Sequence, residues 1–335
     1  MYSDIPLALS LAFMVGGLAA LAWSSDLFVD GAARLARILG ISPFVIGMVI
    51  IGFGTSAPEL CVSALSGVAG HSSLSLGNAY GSCIFNIAMI LGLAALIAPL
   101  PVRPVVAFVA GPGLAAISLL SIWLLKDGVC SRPEGLSLLL LFAVALPLYC
   151  WFERKTGGEE PGQASDVDAA SGGFAAVAAA SAKIVVGLAV LVGSSHCLVW
   201  GAVDFAKMVG VSDLVIGLTI VAVGTSLPEL ASAVASARRG EHEFILGNIV
   251  GSNMFNTLAV VGLATAISPA EGFSQYLVGR DLPLMSVLSL SILLFGVNWR
   301  RPGAPGAIRR GHAVTWLLVF AAYAGLMFCQ ELGKQ

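Results

Sequence analysis

The sequence predicts an all-α membrane protein with about ten transmembrane helices in two inverted five-helix repeats. Three observations lead there. The 335 residues are 58% hydrophobic and 11% charged, with a mean hydropathy of +0.93. Apolar stretches of bilayer length recur along the chain. A shift of 170 residues also lays the sequence on itself without a gap. Soluble domains carry about 25% charged residues, and here the deficit extends over the whole length.

A hydrocarbon core about 30 Å thick takes roughly 20 apolar residues per helix. By that measure spans are expected near 6–25, 43–67, 73–97, 106–125 and 135–151. Five more fall near 176–199, 213–236, 244–267, 282–298 and 313–330. The first stretch lacks a basic leading region and carries Asp4, so it reads as a retained span rather than a signal peptide. Residues 1–152 then form the first five-helix repeat and 176–335 the second, inverted one. Residues 153–175, rich in Gly, Ser, Glu and Asp, form the linker between them.

Lys and Arg set the orientation. With the N-terminus outside, twelve of the 17 basic residues fall in cytoplasmic loops, among them Arg34, Arg37, Arg103, Lys183, Arg238 and Arg239. The expectation is a multi-pass protein of the cell inner membrane, with both termini outside and the linker in the cytoplasm. A net charge of -2 without a basic cluster gives no reason to expect a nucleic-acid partner, and no protein partner is inferable. The six cysteines and four histidines are dispersed and lack metal-ligand spacing, so no cofactor is expected.

The repeat is strongest where the residues are polar. Gly54-Thr55-Ser56-Ala57-Pro58-Glu59-Leu60 falls on Gly224-Thr225-Ser226-Leu227-Pro228-Glu229-Leu230. Leu76-Gly77-Asn78 falls on Leu246-Gly247-Asn248, and Gly81-Ser82-Cys83-Ile84-Phe85-Asn86 on Gly251-Ser252-Asn253-Met254-Phe255-Asn256. Five is an odd number of spans, so the second copy must enter the membrane from the opposite face, which puts a substrate site near the midplane. A duplicated packing scaffold would need only small and apolar residues, whereas these copies duplicate polar ones.

Glu59 and Glu229 are read as the acidic residues lying deep within predicted spans. A carboxylate at the bilayer centre costs about 2.5–3.5 kcal/mol on insertion scales. Neither span contains Lys or Arg to offset that cost. A bound cation is one answer, and a protonated structural Glu the other. Pro58 and Pro228 each remove a backbone donor, which frees carbonyls near Gly54 and Thr55 and near Gly224 and Thr225. Such carbonyls beside a carboxylate offer the oxygen ligands that hard ions prefer. Asn78, Ser82 and Asn86 recur every four residues and so share a helix face, as do Asn248, Ser252 and Asn256. For Asn78 and Asn248, interhelical hydrogen bonding competes with ion contact. Gly77 with Gly81, and Gly247 with Gly251, form GxxxG steps suited to close helix approach. Two ionised carboxylates are neutralised equally by one Ca²⁺ or by two monovalent cations. A carrier that reorients only when loaded would therefore exchange one for the other.

The paired GTSxPE and GNxxGSxxxxN segments resemble the repeats of the sodium/calcium exchanger family, prokaryotic type, within the cation/Ca²⁺ antiporter superfamily. The resemblance implies an antiporter of Ca²⁺, or a similar divalent cation, against Na⁺. It implies Glu59 and Glu229 as central ligands, with the backbone carbonyls of Thr55 and Thr225 contributing. The carbonyls of Gly52 and Ala222 would line outer Na⁺ positions. Ser56, Ser226, Ser82 and Ser252 match further ion-lining serines, and Asn86 and Asn256 match the polar positions beside the glutamates. Relatives that carry Asp where this chain has Asn256 point to a missing charge and away from potassium co-transport. Cys83 opposite Asn253, and Ser63 opposite Ala233, mean that the halves are not equivalent ligand sets. A Ca²⁺/H⁺ antiporter is the alternative coupling, and a cation channel the alternative class. An intramembrane enzyme is not expected, because paired intramembrane Asp is missing and Ser56 lacks a His base nearby.

Overall fold

The computed structural model describes residues 7–104, 106–156, 173–208, 222–301 and 303–332. Among these residues, eight helices are long and apolar enough to cross a membrane. They are α1 (Leu7–Leu39), α4 (Ser72–Ile97), α5 (Val106–Leu125), α6 (Arg132–Thr156), α7 (Phe174–Met208), α9 (His242–Ile267), α10 (Leu277–Gly296) and α11 (Arg310–Leu332). A ninth span is broken. It consists of α2 (Pro43–Thr55) and α3 (Ala57–Val68), which meet at a 46° bend. The span expected near 213–236 is represented by one turn, Ala222–Gly224, and by α8 (Leu227–Arg239). Its first part, 213–221, lies outside the described residues.

The bend follows from the sequence. Pro58 stands in the first turn of α3, where its missing N–H costs that helix nothing but interrupts the ladder to α2. Ser56 at the join leaves helical geometry, and Ser226 does the same before Pro228. Each second half-helix ends at a glycine with left-handed φ, +76° at Gly70 and +73° at Gly240, a conformation that only glycine adopts freely.

α1 and α7 extend beyond their expected spans of 6–25 and 176–199, reaching Leu39 and Met208. They lie antiparallel, and glycines let their backbones meet. A Cβ on Gly17 would lie 2.9 Å from the Leu198 nitrogen, and one on Gly187 2.8 Å from the Phe28 nitrogen. Gly31 faces Ala180 and Ile184 in the same way as Gly201 faces Ser10 and Met14. In each case the second contact is the first with the halves exchanged. Two short antiparallel ladders repeat the relation. β1 (Leu100–Val102) pairs with β4 (Gly306–Ile308), and β2 (Val129–Cys130) pairs with β3 (Ala270–Glu271).

The main apolar core surrounds α4 and α9, the most enclosed spans, whose most apolar windows are 72% and 100% buried. By contrast α1, α6, α7 and α11 show large apolar side chains such as Leu18, Leu140, Val185 and Leu318 on the outside, as lipid-facing helices do. The GxxxG expectation divides between the copies. Gly247 and Gly251 lie directly against the backbone of Phe44 and Met48 on α2. The equivalent neighbours of Gly77 and Gly81 fall in 213–221, outside the described residues.

Two sequence readings need correction. α6 continues to Thr156, so the linker expected from residue 153 begins on a helix. Glu153 is buried, ion-paired to Arg103 and hydrogen-bonded to Ser42. The rest of that segment, 157–172, lies outside the described residues. The glutamates are also not the only deeply buried acids. Asp204, placed beyond the span 176–199, is buried on the extended α7 and accepts a hydrogen bond from Ser10 of α1.

Candidate functional site

Both proline breaks and the middles of α4 and α9 meet inside the bundle. Glu59, in the first turn of α3, is fully buried, and neither of its carboxylate oxygens has a partner. Four residues on, Ser63 donates to the Val260 carbonyl of α9 at 2.6 Å, which sets the Glu59 face of α3 against the segment carrying Asn256. Glu229, the equivalent residue on α8, is buried as well. Its Oε1 accepts from Ser56 at 3.3 Å, so the break of the first half serves the carboxylate of the second. Its Oε2 has no partner. Ser226, at the other break, donates to Ser82 of α4 at 3.5 Å.

The helix carrying each asparagine changes pitch there. Residues Asn86–Leu91 and Phe255–Val260 wind as π-helical turns within α4 and α9. These turns insert an extra residue and are frequent at functional sites. Asn86 and Asn256 are fully buried. Asn86 Oδ1 and both amide atoms of Asn256 lack partners. The Thr225 hydroxyl is buried and unpartnered too. These orphaned atoms are mostly oxygens, drawn from both halves. Buried polar groups are paired in the large majority of cases, so such a gathering calls for an explanation.

Thr55, Ser252 and the Gly52 carbonyl, also expected at the site, are engaged. Thr55 Oγ1 lies 3.0 Å from the Ile51 carbonyl and 3.3 Å from Asn248 Oδ1. Ser252 reaches the same Asn248 oxygen at 3.3 Å and the Gly52 carbonyl at 3.5 Å. The Gly52 carbonyl also accepts from the Ser56 backbone at 3.1 Å. Asn248 Nδ2 donates to Ser232 at 3.0 Å, so Asn248 is a crosslink between helices. That is the hydrogen-bonding role weighed for it against ion contact. The carbonyl that Pro228 frees at Gly224 is not open either, because Ser195 of α7 donates to it at 3.0 Å. Ala222 opens its short helix beside residues that are not described.

Sequence reasoning passed over Ser195, Ser232 and Thr257. In the sequence Cys83 and Asn253 stand out only as an asymmetry between the halves. Of these residues, Cys83 and Asn253 carry a signal, since both lie inside the repeated motif. Among the described residues no three of His, Cys, Asp and Glu come together. A cation here would therefore rest on two carboxylates and neutral oxygens, as hard ions accept.

Membrane-length helices around a buried, oxygen-lined polar centre define a polytopic membrane transport protein. The chain belongs to the sodium/calcium exchanger family. The model of that family, sodium/calcium exchanger protein, matches residues 9–151 and 180–329. The putative antiporter CaxA of Alkalimonas amylolytica is 39% identical over 94% of this chain and 98% of its own. Inner membrane protein YrbG of Escherichia coli is 34% identical over 92% of this chain and 96% of its own. A solved structure of the sodium-calcium exchanger NCX_Mj, soaked with Na⁺ and Sr²⁺, superposes with a TM-score of 0.79. It is 29% identical and covers 95% of this chain and 98% of that one.

Proposed function

We propose that this protein exchanges Ca²⁺, or a similar divalent cation, for Na⁺ by alternating access, with Glu59 and Glu229 as the central ion ligands. The observation that carries the reading is the pair of buried carboxylates, one from each half, with no basic side chain bonded to either among the described residues. Asn86, Asn256 and Thr225 would complete the shell through their unpartnered oxygens. Ser56, Ser226, Ser82 and Ser252 stand beside them, and the carbonyls of Thr55, Thr225, Gly52 and Ala222 line the approaches.

The coupling follows from charge. Two ionised carboxylates without a counter-ion are costly in a low dielectric. One Ca²⁺ or two monovalent cations remove that cost equally, so either load permits reorientation and the empty site resists it. The division into two repeats, inverted about the centre and joined by the linker, is supported by the exchanged contacts of α1 with α7 and of the β ladders. Such repeats let one half open as the other closes. We place the protein in the inner membrane, with both termini outside. Arg37, Arg103 and Arg239 support a common cytoplasmic end, because they pair with Glu241, Glu243 and α1 carboxylates around one loop.

The test is radioactive Ca²⁺ uptake into Na⁺-loaded proteoliposomes. Uptake is expected to need the outward Na⁺ gradient and to fall at least about a hundredfold in Glu59→Gln and in Glu229→Gln, because one missing charge leaves Ca²⁺ uncompensated at this depth. Uptake driven equally by a pH gradient without Na⁺ would move the coupling to protons. Flux without a counter-ion would make the protein a channel.

A further inference from the structure

Cys83 and Asn253 occupy equivalent places, 170 residues apart, and each precedes the site asparagine of its own helix by three residues. There the two halves differ in chemistry. Asn253 Nδ2 donates to the Cys83 backbone carbonyl at 3.4 Å. A carbonyl can only accept, so this contact decides which way the Asn253 amide faces. Its Oδ1 is then left for Asn86, whose Nδ2 donates to it at 3.0 Å. With that nitrogen committed, the Asn86 oxygen must point the other way, and it is the oxygen that lies buried and unpartnered.

Among the described residues nothing equivalent serves Asn256. The Cys83 side chain has no amide, and its sulfur lies 3.6 Å from the Thr257 hydroxyl and 3.7 Å from the Asn253 carbonyl. Both amide atoms of Asn256 are unpartnered. We propose that Asn253 is a positioning residue that locks the Asn86 amide with its oxygen toward the cation, while Cys83 in the equivalent place leaves the Asn256 amide free to turn. The inference rests on Asn86 being an ion ligand. An amide turned the wrong way presents N–H to a cation, so fixing it removes a repulsive state and pre-organises the ligand.

A double-mutant cycle tests this. A carboxylate has two equal oxygens and needs no orienting, so Asn86→Asp should remove the requirement for Asn253. Asn253→Ala is expected to raise the KM for Ca²⁺ about tenfold in the parent with little change in maximal rate, as loss of an outer-shell partner typically does. In the Asn86→Asp background the same change should raise KM less than about twofold. Equal effects in both backgrounds, or no KM change in the parent, would overturn the proposal. Asn86→Ala separates the two readings, since an unchanged KM there would remove Asn86 from the ion site itself. If Asn86→Asp does not transport, Ca²⁺ binding by calorimetry on the four purified proteins gives the same cycle. If Asn253→Ala does not fold, Asn253→Ser, too short to hold the amide, takes its place.

Discussion

Asn248 and Asn256 stand eight residues apart on one helix, and their environments divide them. Asn248 accepts from Thr55 and Ser252 and donates to Ser232, so it fastens α9 to the broken span and to α8. Asn256 bonds to nothing among the described residues. Removing one partner from a buried hydrogen-bonded set costs about 1–3 kcal/mol. Asn248→Ala is therefore expected to lower the unfolding temperature in detergent and to move the breaks that carry the glutamates. Asn256→Ala should leave that temperature nearly unchanged and act on ion affinity. A larger stability loss for Asn256→Ala than for Asn248→Ala would contradict these roles. Both residues were legible as a stripe spaced by four. Their division of labour was not, because it depends on Ser232 and Thr55, which lie on other helices.

At the scale of elements, the seam between α2 and α9 depends on closeness. Gly247 and Gly251 abut the backbone of Phe44 and Met48, and from the other side Gly52 lies against the Ser252 backbone. That closeness brings the Gly52 carbonyl within reach of Ser252. Gly251→Ala would drive a Cβ into main chain that has no rotamer through which to give way. Overpacking of this kind costs about 1–3 kcal/mol or more, and it would part the helices beside the site. The expected result is lost yield and lost Ca²⁺ uptake, whereas Gly325→Ala, on an exposed face of α11, should behave as the parent. The GxxxG spacing signalled close approach, but α2 as the partner came only with the fold. The π-helical turns at Asn86 and Asn256 had no signal in hydrophobic spacing, since one inserted residue hardly alters an apolar pattern.

Across the whole molecule, ion pairs gather at the end read as cytoplasmic. Arg103 joins Glu153, at the end of α6, to Glu243, at the start of α9, and so ties the first half to the second. Arg239 of α8 and Lys183 of α7 both hold Asp30 of α1. The charge bias of the loops predicts this orientation. A cysteine placed at Ser165 in the linker is therefore expected to add labelling by a membrane-impermeant maleimide in inverted vesicles and none in right-side-out cells. The opposite pattern would reverse the topology and exchange the cytoplasmic and outer entrances to the site.

What the sequence determined by itself were properties written in composition and periodicity. These are membrane-spanning helices of bilayer length, a repeat at 170 residues, prolines that break two spans, and one glutamate behind each break. The tertiary structure decided which oxygens are already used. It assigns the Gly224 carbonyl to Ser195, Asn248 to three hydroxyls and the Asn86 nitrogen to Asn253, and leaves Glu59 and Asn256 unpartnered. It also buried Asp204 and Glu153, which the sequence placed in polar connections. The physical reason is the same in each case. Hydropathy and spacing describe one helix at a time, whereas the partner of a buried polar atom is set by close packing between helices far apart in the chain.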